Sequence, residues 1–433
     1  MRPTISRTSV LLRFSLPLLL LSLFIGGCGG GDSKPEAGAM RTITLAHFWS
    51  EPPQKKALLE QIAAFETAHP GVKVELTDLS WGDGKTKLNA AFNSNTAPDV
   101  IELGSDWVAQ FSSSEVLADQ DAIGKPSTMK VSETVRAPGL WAGKVYARPW
   151  VVDTRVLFVN TGLLASAGVD TTVMPATWDD VLLGAEKVRH KGAEFYGFGA
   201  NGPDPHRLYK KILPFFWSNG GDLIDASGKV VINSPENVAA LEKYLELART
   251  GLTETQKALD QEFIKGNVGY WYSGSWLVDK IRKENPGLHY AVAPLPGFAG
   301  KPSVSFAGGE YLAISAASEQ KELARALVDF LVSGPQALAF CKALPGLFAP
   351  ADASVANDPY LLSPERKVFS AQLSSAKMTP VHPKWLDVEA VIEEEVSQAL
   401  LGKKEAAQAL VDAEHRLTAM TVAASAENGN GGD

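Results

Sequence analysis

From about residue 43, apolar and polar positions follow one another in a regular order. Residues 43–48, 72–76 and 99–103 have the alternating or continuous apolar pattern that is typical of β-strands. Between them, residues 54–69 place apolar side chains on one helical face, and residues 85–93 form a second predicted helix. Strands that alternate with helices predict an α/β fold with a mostly parallel sheet and helices on its faces.

A second region with the same kinds of element begins near residue 149. Thr177 is the expected N-cap of a helix, with Asp180 as the acid of a capping box. We expect a helix that starts at Ser234 and Pro235, strands at 268–272, 289–293 and 311–314, and several helices up to about residue 424. Residues 426–433 are expected to form a disordered tail.

The N-terminal residues have the pattern of an export signal. Three arginines precede an apolar run at residues 14–25, which is shorter than the roughly 20 residues needed to span a membrane. The run ends in Gly-Gly-Cys28, which resembles a bacterial lipoprotein signal, and a chance cysteine after an ordinary signal is the alternative. We therefore predict a signal peptide at 1–27, lipidation of Cys28 and a flexible tether at 28–41.

Composition and motifs argue against several classes of protein. The 433-residue chain has a formal net charge of −8, whereas a nucleic-acid-binding protein should carry a basic surface. Two cysteines cannot form a disulfide framework, and Cys341 is expected to be a buried thiol. The sequence contains no HExxH zinc motif, no GxSxG and no phosphate-binding P-loop, so we expect no metal, no cofactor and no enzymatic activity.

One glycine motif matches the dinucleotide-binding pattern GxGxxG, at residues 197–202. Pro203 and Pro205 follow it, so no helix with an apolar face begins there. We therefore predict a loop at this place.

Tryptophan is the most informative residue type. Eight of the ten tryptophans lie in polar, glycine-rich junctions, and each alone is as well explained by core packing. As a set, aromatic faces beside carboxylates and amides are typical of a sugar site. The junction tryptophans are Trp49, Trp81, Trp107, Trp150, Trp217, Trp271, Trp276 and Trp385, and the polar neighbours are Asp106, Asp153, Asn219, Asp222 and Glu310.

Several segments, taken together, resemble the family 1 extracellular solute-binding proteins, which are receptors of carbohydrate ABC importers. The matching segments cover nearly all of residues 42–345. They are residues 145–160, FWS at 48–50, AFETAHPGVKVEL at 64–76, APDV at 97–100, FFWSNGGDLID at 215–225, VGYWYSGSW at 268–276, APLPG at 293–297 and FAGGEYLAIS at 306–315.

The resemblance implies a two-lobed periplasmic-binding-protein-like fold of type II, with a ligand cleft at the hinge. The implied crossings between lobes lie near 151–155, 306–311 and 344–348. The lobes would then comprise 42–150 with 306–345, and 151–305 with 346–425.

The resemblance also implies which residues contact a sugar. Trp49, Asp153 and Trp276 match sugar-contacting positions of the family, and Gly308, Gly309 and Glu310 match the second crossing. Ser105 and Asp106 fit a polar contact after the third strand. Trp81, Trp217, Trp271 and Trp385 complete the candidate set on the aromatic pattern. Arg155 raises an alternative for Asp153, namely an ion pair that only fixes the hinge.

The implied function is that of a monomeric, lipid-anchored receptor outside the cytoplasm. It would bind a mono- or oligosaccharide and deliver it to the permease of an ABC transporter, without contact to nucleic acid. Two alternatives remain: an exported glycosidase or lyase that uses Glu310 or Asp153, and the same fold with glycerol phosphate, a polyamine or a peptide as ligand.

Overall fold

The computed structural model describes residues 40–225, 227–344, 346 and 348–429, with side chains described as far as Met420. The predicted signal peptide, Cys28 and the tether up to residue 39 lie outside the described residues, as do residues 430–433. The predictions for these segments remain predictions.

The first five elements alternate between strand and helix, as the sequence pattern predicts. Up to the first crossing they are β1 (Arg41–His47), α1 (Pro52–Ala68), β2 (Val72–Asp78), α2 (Gly84–Asn93), β3 (Val100–Gly104), α3 (Val108–Ser113), α4 (Gln120–Ile123), α5 (Glu133–Arg136), a 3₁₀ turn (Ala137–Gly139), β4 (Leu140–Trp141), β5 (Lys144–Val145) and β6 (Ala147–Thr154).

The remaining elements build most of the second lobe and complete the first. They are β7 (Val156–Val159), α6 (Thr161–Ser166), α7 (Trp178–Arg189), β8 (Tyr196–Asn201), α8 (Tyr209–Ser218), α9 (Pro235–Ala248), β9 (Leu252–Glu254), α10 (Gln256–Lys265), β10 (Val268–Ser273), α11 (Trp276–Glu284), β11 (Ala291–Ala293), β12 (Ser305–Ile314), α12 (Lys321–Val332), α13 (Gly334–Ala343), β13 (Ala349–Pro350), two 3₁₀ turns (Ala353–Val355 and Pro359–Leu362), α14 (Pro364–Ser374), β14 (Ala376–Lys377), α15 (Trp385–Leu400) and α16 (Ala406–Gly429).

Two sheets form the centres of the two lobes. The first has the strand order β13-β6-β12-β3-β1-β2, with β14 attached to the start of β12, and the second has the order β11-β7-β10-β8-β9. In the first sheet β1 is parallel to β2 and β3, and in the second β8 is parallel to β9 and β10. However, β12 is antiparallel to both β3 and β6, and β7 is antiparallel to both β10 and β11. Both sheets are therefore mixed rather than mostly parallel. The chain leaves the first lobe along β6 and re-enters it along β12, so these neighbours must run in opposite directions.

The first of the three crossings lies within its predicted range, and the other two lie just outside theirs. Residues 147–154 form one uninterrupted strand of the first sheet, and the chain enters the second sheet at Val156, so the first crossing falls at Arg155, inside 151–155. The return strand begins at Ser305 and belongs to the first sheet along its whole length, so the second crossing comes just before 306–311. The third crossing is later than 344–348, because β13 pairs with β6 in the first sheet.

Each lobe has its own hydrophobic core. In the first lobe, Leu58 and Phe65 of α1 and Leu327 of α12 are fully buried in one cluster. In the second lobe the core is rich in aromatic rings, with Trp178 stacked on Phe215 at a centroid distance of 4.1 Å. Helices α15 and α16 complete this second core. Cys341 is buried and free, as predicted.

The GxGxxG segment is a strand, so the prediction of a loop is wrong. Residues Tyr196–Asn201 form β8, between β10 and β9 in the second sheet. A Cβ added at Gly197 would lie 2.3 Å from the carbonyl oxygen of Ala185, so this glycine lets α7 pack directly on the strand. The glycine pattern therefore serves helix–sheet packing.

Within the described residues, no single helix is long and apolar enough to span a membrane. Helices α12 and α13 reach that length and hydropathy only as a pair, and their axes differ by 64°.

The predicted disordered tail begins too early in the chain. Helix α16 continues to Gly429, past the predicted start of the tail at residue 426.

The capping box of α7 gives a direct test of the fold. Thr177 accepts a hydrogen bond from the N–H of Asp180, and the Asp180 carboxylate accepts one from the N–H of Thr177. We expect Thr177→Ala to lower the free energy of unfolding by about 1 kcal/mol, measured by urea denaturation. Thr177→Ser keeps the acceptor and is the matched control. Equal midpoints for the wild type and the Ala variant would contradict the capping role.

Candidate functional site

The two lobes meet at the middle of β12, at Gly308, Gly309 and Glu310. These residues are half-buried, whereas the rest of the strand is buried. The N–H of Ser105, which follows β3, donates to the carbonyl of Gly309 over 2.9 Å. A Cβ added at Gly309 would lie 2.6 Å from the carbonyl oxygen of Val151, so a side chain there would force β6 and β12 apart. The structure thus brings four of the predicted site residues together.

Asp106 joins the first lobe to the second. Its carboxylate accepts a 2.5 Å hydrogen bond from the hydroxyl of Tyr209 and lies 3.4 Å from the ammonium of Lys210, both on α8. Burial by itself would raise the pKa of Asp106, but Lys210 and the Tyr209 hydroxyl outweigh burial and lower that pKa. Asp106 therefore stays ionised as an interlobe acceptor.

Glu310 is a carboxyl group held mainly in its neutral form. Burial, followed by the negative charge of Asp106, raises its pKa to about 8, against the opposing influence of Lys210, Arg207 and Arg155. Its Oε2 atom is buried and has no hydrogen-bond partner among the described residues. An orphaned carboxyl oxygen at the meeting point of two lobes is available to a ligand.

A second acid, Glu102, lies diagonal to Glu310 on the neighbouring strand β3. Glu102 on β3 is fully buried, and its Oε2 accepts a 2.9 Å hydrogen bond from the N–H of Phe48. Burial, and then the neighbouring Glu310, raise the pKa of Glu102 well above its usual range. Two carboxyls so close together are stable only if they do not both ionise.

Asp153 forms the ion pair that was the alternative to sugar contact. Its Oδ2 lies 3.0 Å from Nη1 of Arg155 and 3.4 Å from the N–H of Ser275 at the start of α11. Burial raises the pKa of Asp153, and Arg155 opposes that rise. The Arg155 guanidinium also lies 4.7 Å from the ring centroid of Trp276. Asp153 and Trp276, two predicted site residues, are thus joined through Arg155.

Trp276 and Trp81 keep partly exposed rings. The indole N–H of Trp276 donates to Asp260 over 2.9 Å, and Trp81 stacks on Phe48 with a centroid distance of 4.0 Å. Trp81 also contacts Trp107 edge-on. These two half-buried indoles, one from each lobe, are the predicted aromatics that retain accessible surface.

Four other predicted aromatic contacts lie in cores, which corrects their expected placement. Their side chains are at most 5% exposed, and neighbouring side chains cover their ring faces. In the first lobe, Trp49 packs against Trp150, Phe340 and Phe348. In the second lobe, the indole N–H of Trp217 donates a hydrogen bond to Asp222, and Trp271 is fully buried. Trp385 packs against Tyr209.

A polar cluster that the sequence analysis missed ties α15 to the start of α8. The imidazole Nδ1 of His206 is hydrogen-bonded to Glu389, and its backbone N–H donates to Glu393 over 3.1 Å. The hydrogen bond with Glu389 raises the pKa of His206 despite burial, and burial raises the pKa of Glu393 to about 7. The ring of His206 faces Trp107 across the lobes at 6.2 Å.

The missed residues share a signal that is visible in hindsight. His206, Arg207, Tyr209 and Lys210 all follow the carboxyl end of β8, where α/β sheets usually bind ligands. Reading residues 197–202 as a loop concealed that strand end. Asp260 carried no such signal, since it lies within a helix.

The described residues hold no group of three or more histidine, cysteine, aspartate or glutamate side chains arranged to bind a metal ion. What the site offers is carboxyls, basic side chains and two indoles around one meeting point. This arrangement suits binding through hydrogen bonds and stacking.

Comparison with known proteins also indicates a binding protein. The chain is 27% identical over 394 residues to the diacetylchitobiose binding protein DasA of Streptomyces coelicolor, covering 84% of this chain and 87% of the relative. It is 24% identical over 345 residues to the maltooligosaccharide ABC transporter solute-binding lipoprotein of Streptococcus pneumoniae, covering 73% and 75%.

A crystallised receptor has the same fold. The GacH receptor of Streptomyces glaucescens, solved unliganded and with acarbose, superposes with a TM-score of 0.78 at 24% identity, covering 87% of this chain and 97% of that one. This similarity confirms the predicted two-lobed fold. Residues 49–337, more than half of the chain, match the family model described as bacterial extracellular solute-binding protein. The protein therefore belongs to the bacterial extracellular solute-binding proteins.

Proposed function

We propose that the protein is a receptor that binds a mono- or oligosaccharide between its lobes and delivers it to an ABC transporter permease. The observation that carries this proposal is a set of unsatisfied polar atoms at the hinge. Oε2 of Glu310, Nε of Arg155 and Oγ of Ser275 are buried, and no partner for them lies among the described residues. A ligand that enters between the lobes would supply hydrogen bonds to these atoms.

Sugar hydroxyls meet this need. A hydroxyl group donates and accepts, so it pairs with a neutral carboxyl, a guanidinium or a serine. The apolar C–H face of a sugar ring packs on a flat indole, which Trp276 and Trp81 supply from opposite lobes. The names of relatives that bind diacetylchitobiose and maltooligosaccharides support the same ligand class.

The charges at the site favour a neutral ligand over a phosphate. Arg155 is neutralised by Asp153 at 3.0 Å, and Lys210 faces Asp106 at 3.4 Å. A phosphate site would leave such cations free for the ligand. The enzymatic alternative fares no better, because Asp153 is engaged in an ion pair and the family consists of binding proteins.

Delivery follows from contact with both lobes. A ligand that bridges Glu310 on the first lobe and Trp276 on the second stabilises the closed form over the open one. The permease then receives only the loaded, closed receptor. The proposed receptor acts as a monomer outside the cytoplasm.

The direct test is a ligand panel on the mature chain. Maltotriose, N,N′-diacetylchitobiose, a β-galactobiose and glycerol 3-phosphate are titrated by calorimetry, with X-ray scattering to follow closure. We expect one sugar to bind and the radius of gyration to fall when it binds. Binding of glycerol 3-phosphate alone, or turnover of any sugar, would contradict the proposal.

The platform role of Trp276 gives a second prediction. Trp276→Ala should weaken sugar binding roughly tenfold, since the ring face contributes on the order of 1–2 kcal/mol. Trp217→Phe is the matched control, because that indole is buried away from the hinge opening and should leave affinity unchanged. Equal losses in both variants would show that the effect is structural.

Glu310 makes stability depend on pH. Its pKa rises from 4.5 in the unfolded chain to about 8 in the folded protein, so the folded state holds a proton that the unfolded state has lost between these pH values. The free energy of unfolding should therefore fall as the pH rises from about 4.5 to about 8, and then level off. Glu310→Gln should reduce the fall of the melting temperature across pH 5–8, while the part due to the raised pKa values of Glu102 and Glu393 remains. The exposed Glu60→Gln should keep the wild-type slope, and an unchanged slope in Glu310→Gln would count against the neutral carboxyl.

We further propose that the protein is tied to a membrane by lipid on Cys28. The sequence pattern at residues 14–28 and the lipoprotein named among the relatives support this. Cys28→Ser should release the exported protein from the membrane fraction into the soluble one, as judged by fractionation. A variant that still sediments with membranes would refute lipid anchoring at this residue.

A further inference from the structure

Asp260 is a buried carboxylate with three donors aimed at it. It lies on α10 and is 1% exposed. Its Oδ1 accepts from the indole N–H of Trp271 over 2.9 Å and from the hydroxyl of Ser273 over 3.0 Å. Its Oδ2 accepts from the indole N–H of Trp276 over 2.9 Å, and Lys280 lies 3.8 Å from the same oxygen. One carboxylate thus holds both indoles of the segment 271–276.

The indole of Trp276 is confined on its other sides as well. A Cβ added at Gly274 would lie 2.0 Å from the ring, so the absence of a side chain there makes room for the indole. The Arg155 guanidinium lies 4.7 Å from the ring centroid. The hydrogen bond to Asp260 is what fixes the rotation of the ring within this space, because an indole has a single N–H.

A carboxylate is the one side chain that suits all three donors. Both of its oxygens only accept, whereas an asparagine would present an amide donor to one of the two indoles. Burying a charge is costly, and a core that needed only packing would be better served by an apolar residue. The use of a buried acid at this place indicates that the orientation of the indoles is what it maintains.

We propose that Asp260 is a positioning residue, which holds the Trp276 indole in the orientation that accepts a sugar ring. The inference rests on the proposed sugar-binding function, and Asp260 itself does not touch the sugar. Trp271 is anchored by the same group but remains in the core. The affinity for sugar would therefore depend on Asp260, which lies behind the Trp276 indole and does not contact the sugar.

The first experiment needs no ligand. In ¹⁵N-indole NMR spectra of the mature chain, Trp276→Phe assigns the Trp276 signal. We expect that signal downfield, as for an N–H bonded to a carboxylate, with slow exchange against water. Asp260→Asn should move it upfield and speed its exchange, while Ser273→Ala, which removes the third donor alone, should leave it in place. Once Trp276→Phe has assigned the signal, a wild-type Trp276 signal that exchanges as fast as an exposed indole overturns the proposal even if Asp260→Asn does not fold.

The second experiment links position to binding. Among maltotriose, N,N′-diacetylchitobiose and β-galactobiose, the tightest binder is titrated into the wild type, Asp260→Asn, Trp276→Phe and the double variant. We expect Asp260→Asn to weaken binding about fivefold to twentyfold, and to have less than a twofold further effect in the Trp276→Phe background.

The outcomes separate the two proposals. If the wild type binds none of the three sugars, the proposed function is at fault, and the NMR result still decides whether Asp260 orients Trp276. If the sugar binds and the effect of Asp260→Asn persists in full without the indole, Asp260 acts by another route and the positioning role is wrong. Loss of melting temperature with wild-type affinity would likewise reduce Asp260 to a structural residue.

Discussion

The antiparallel pairing of β6 with β12 is the constraint on which the rest of the structure depends. These two strands carry the chain out of the first lobe and back into it, and they are hydrogen-bonded from Ala147 to Thr154. The same ladder is thus both the centre of the first sheet and one side of the hinge. It also explains where the site lies, because the half-buried Gly308–Glu310 stretch of β12 faces Asp153 and Val151 across that ladder.

A consequence is that hinge and site share residues. A register irregularity between Glu310 and Tyr311 leaves Trp150 of β6 as an extra residue in the ladder, while the pairing continues on both sides. The charges and the burial at this place determine which of its carboxyl groups are ionised. Asp106 remains ionised because Lys210 and Tyr209 support it. Glu310 has a raised pKa because burial outweighs the cations near it, and Glu102 has a raised pKa because of burial and the neighbouring Glu310.

Sequence patterns predicted the fold better than the site. Periodicity located the elements from β1 to β3, helices α7 and α9, strands β10 and β11 and part of β12, since burial leaves a direct trace in the order of apolar residues, and it found the capping box at Thr177 and Asp180. It gave no separate prediction for β6, β7 or α8 and predicted a loop where β8 lies. It could not fix the sheet direction, which depends on pairing between distant segments. The tryptophan pattern was ambiguous. Trp276 and Trp271 both lie among glycine and polar residues, yet Trp276 keeps accessible surface and Trp271 is buried. Asp260 gave no local signal, because its partners come from another element.

The completion of the second core by α15 and α16 bears on the order in which the chain matures. That core begins with β7 at Val156, yet it also needs Trp385, Ile392 and Leu410, more than two hundred residues later. The first core is likewise unfinished until α12 and α13 arrive. A chain that emerges from its N-terminal end therefore cannot complete either core until most of its length is available. Folding that depends on contacts between such distant segments is slow, which favours passage across a membrane before the lobes close.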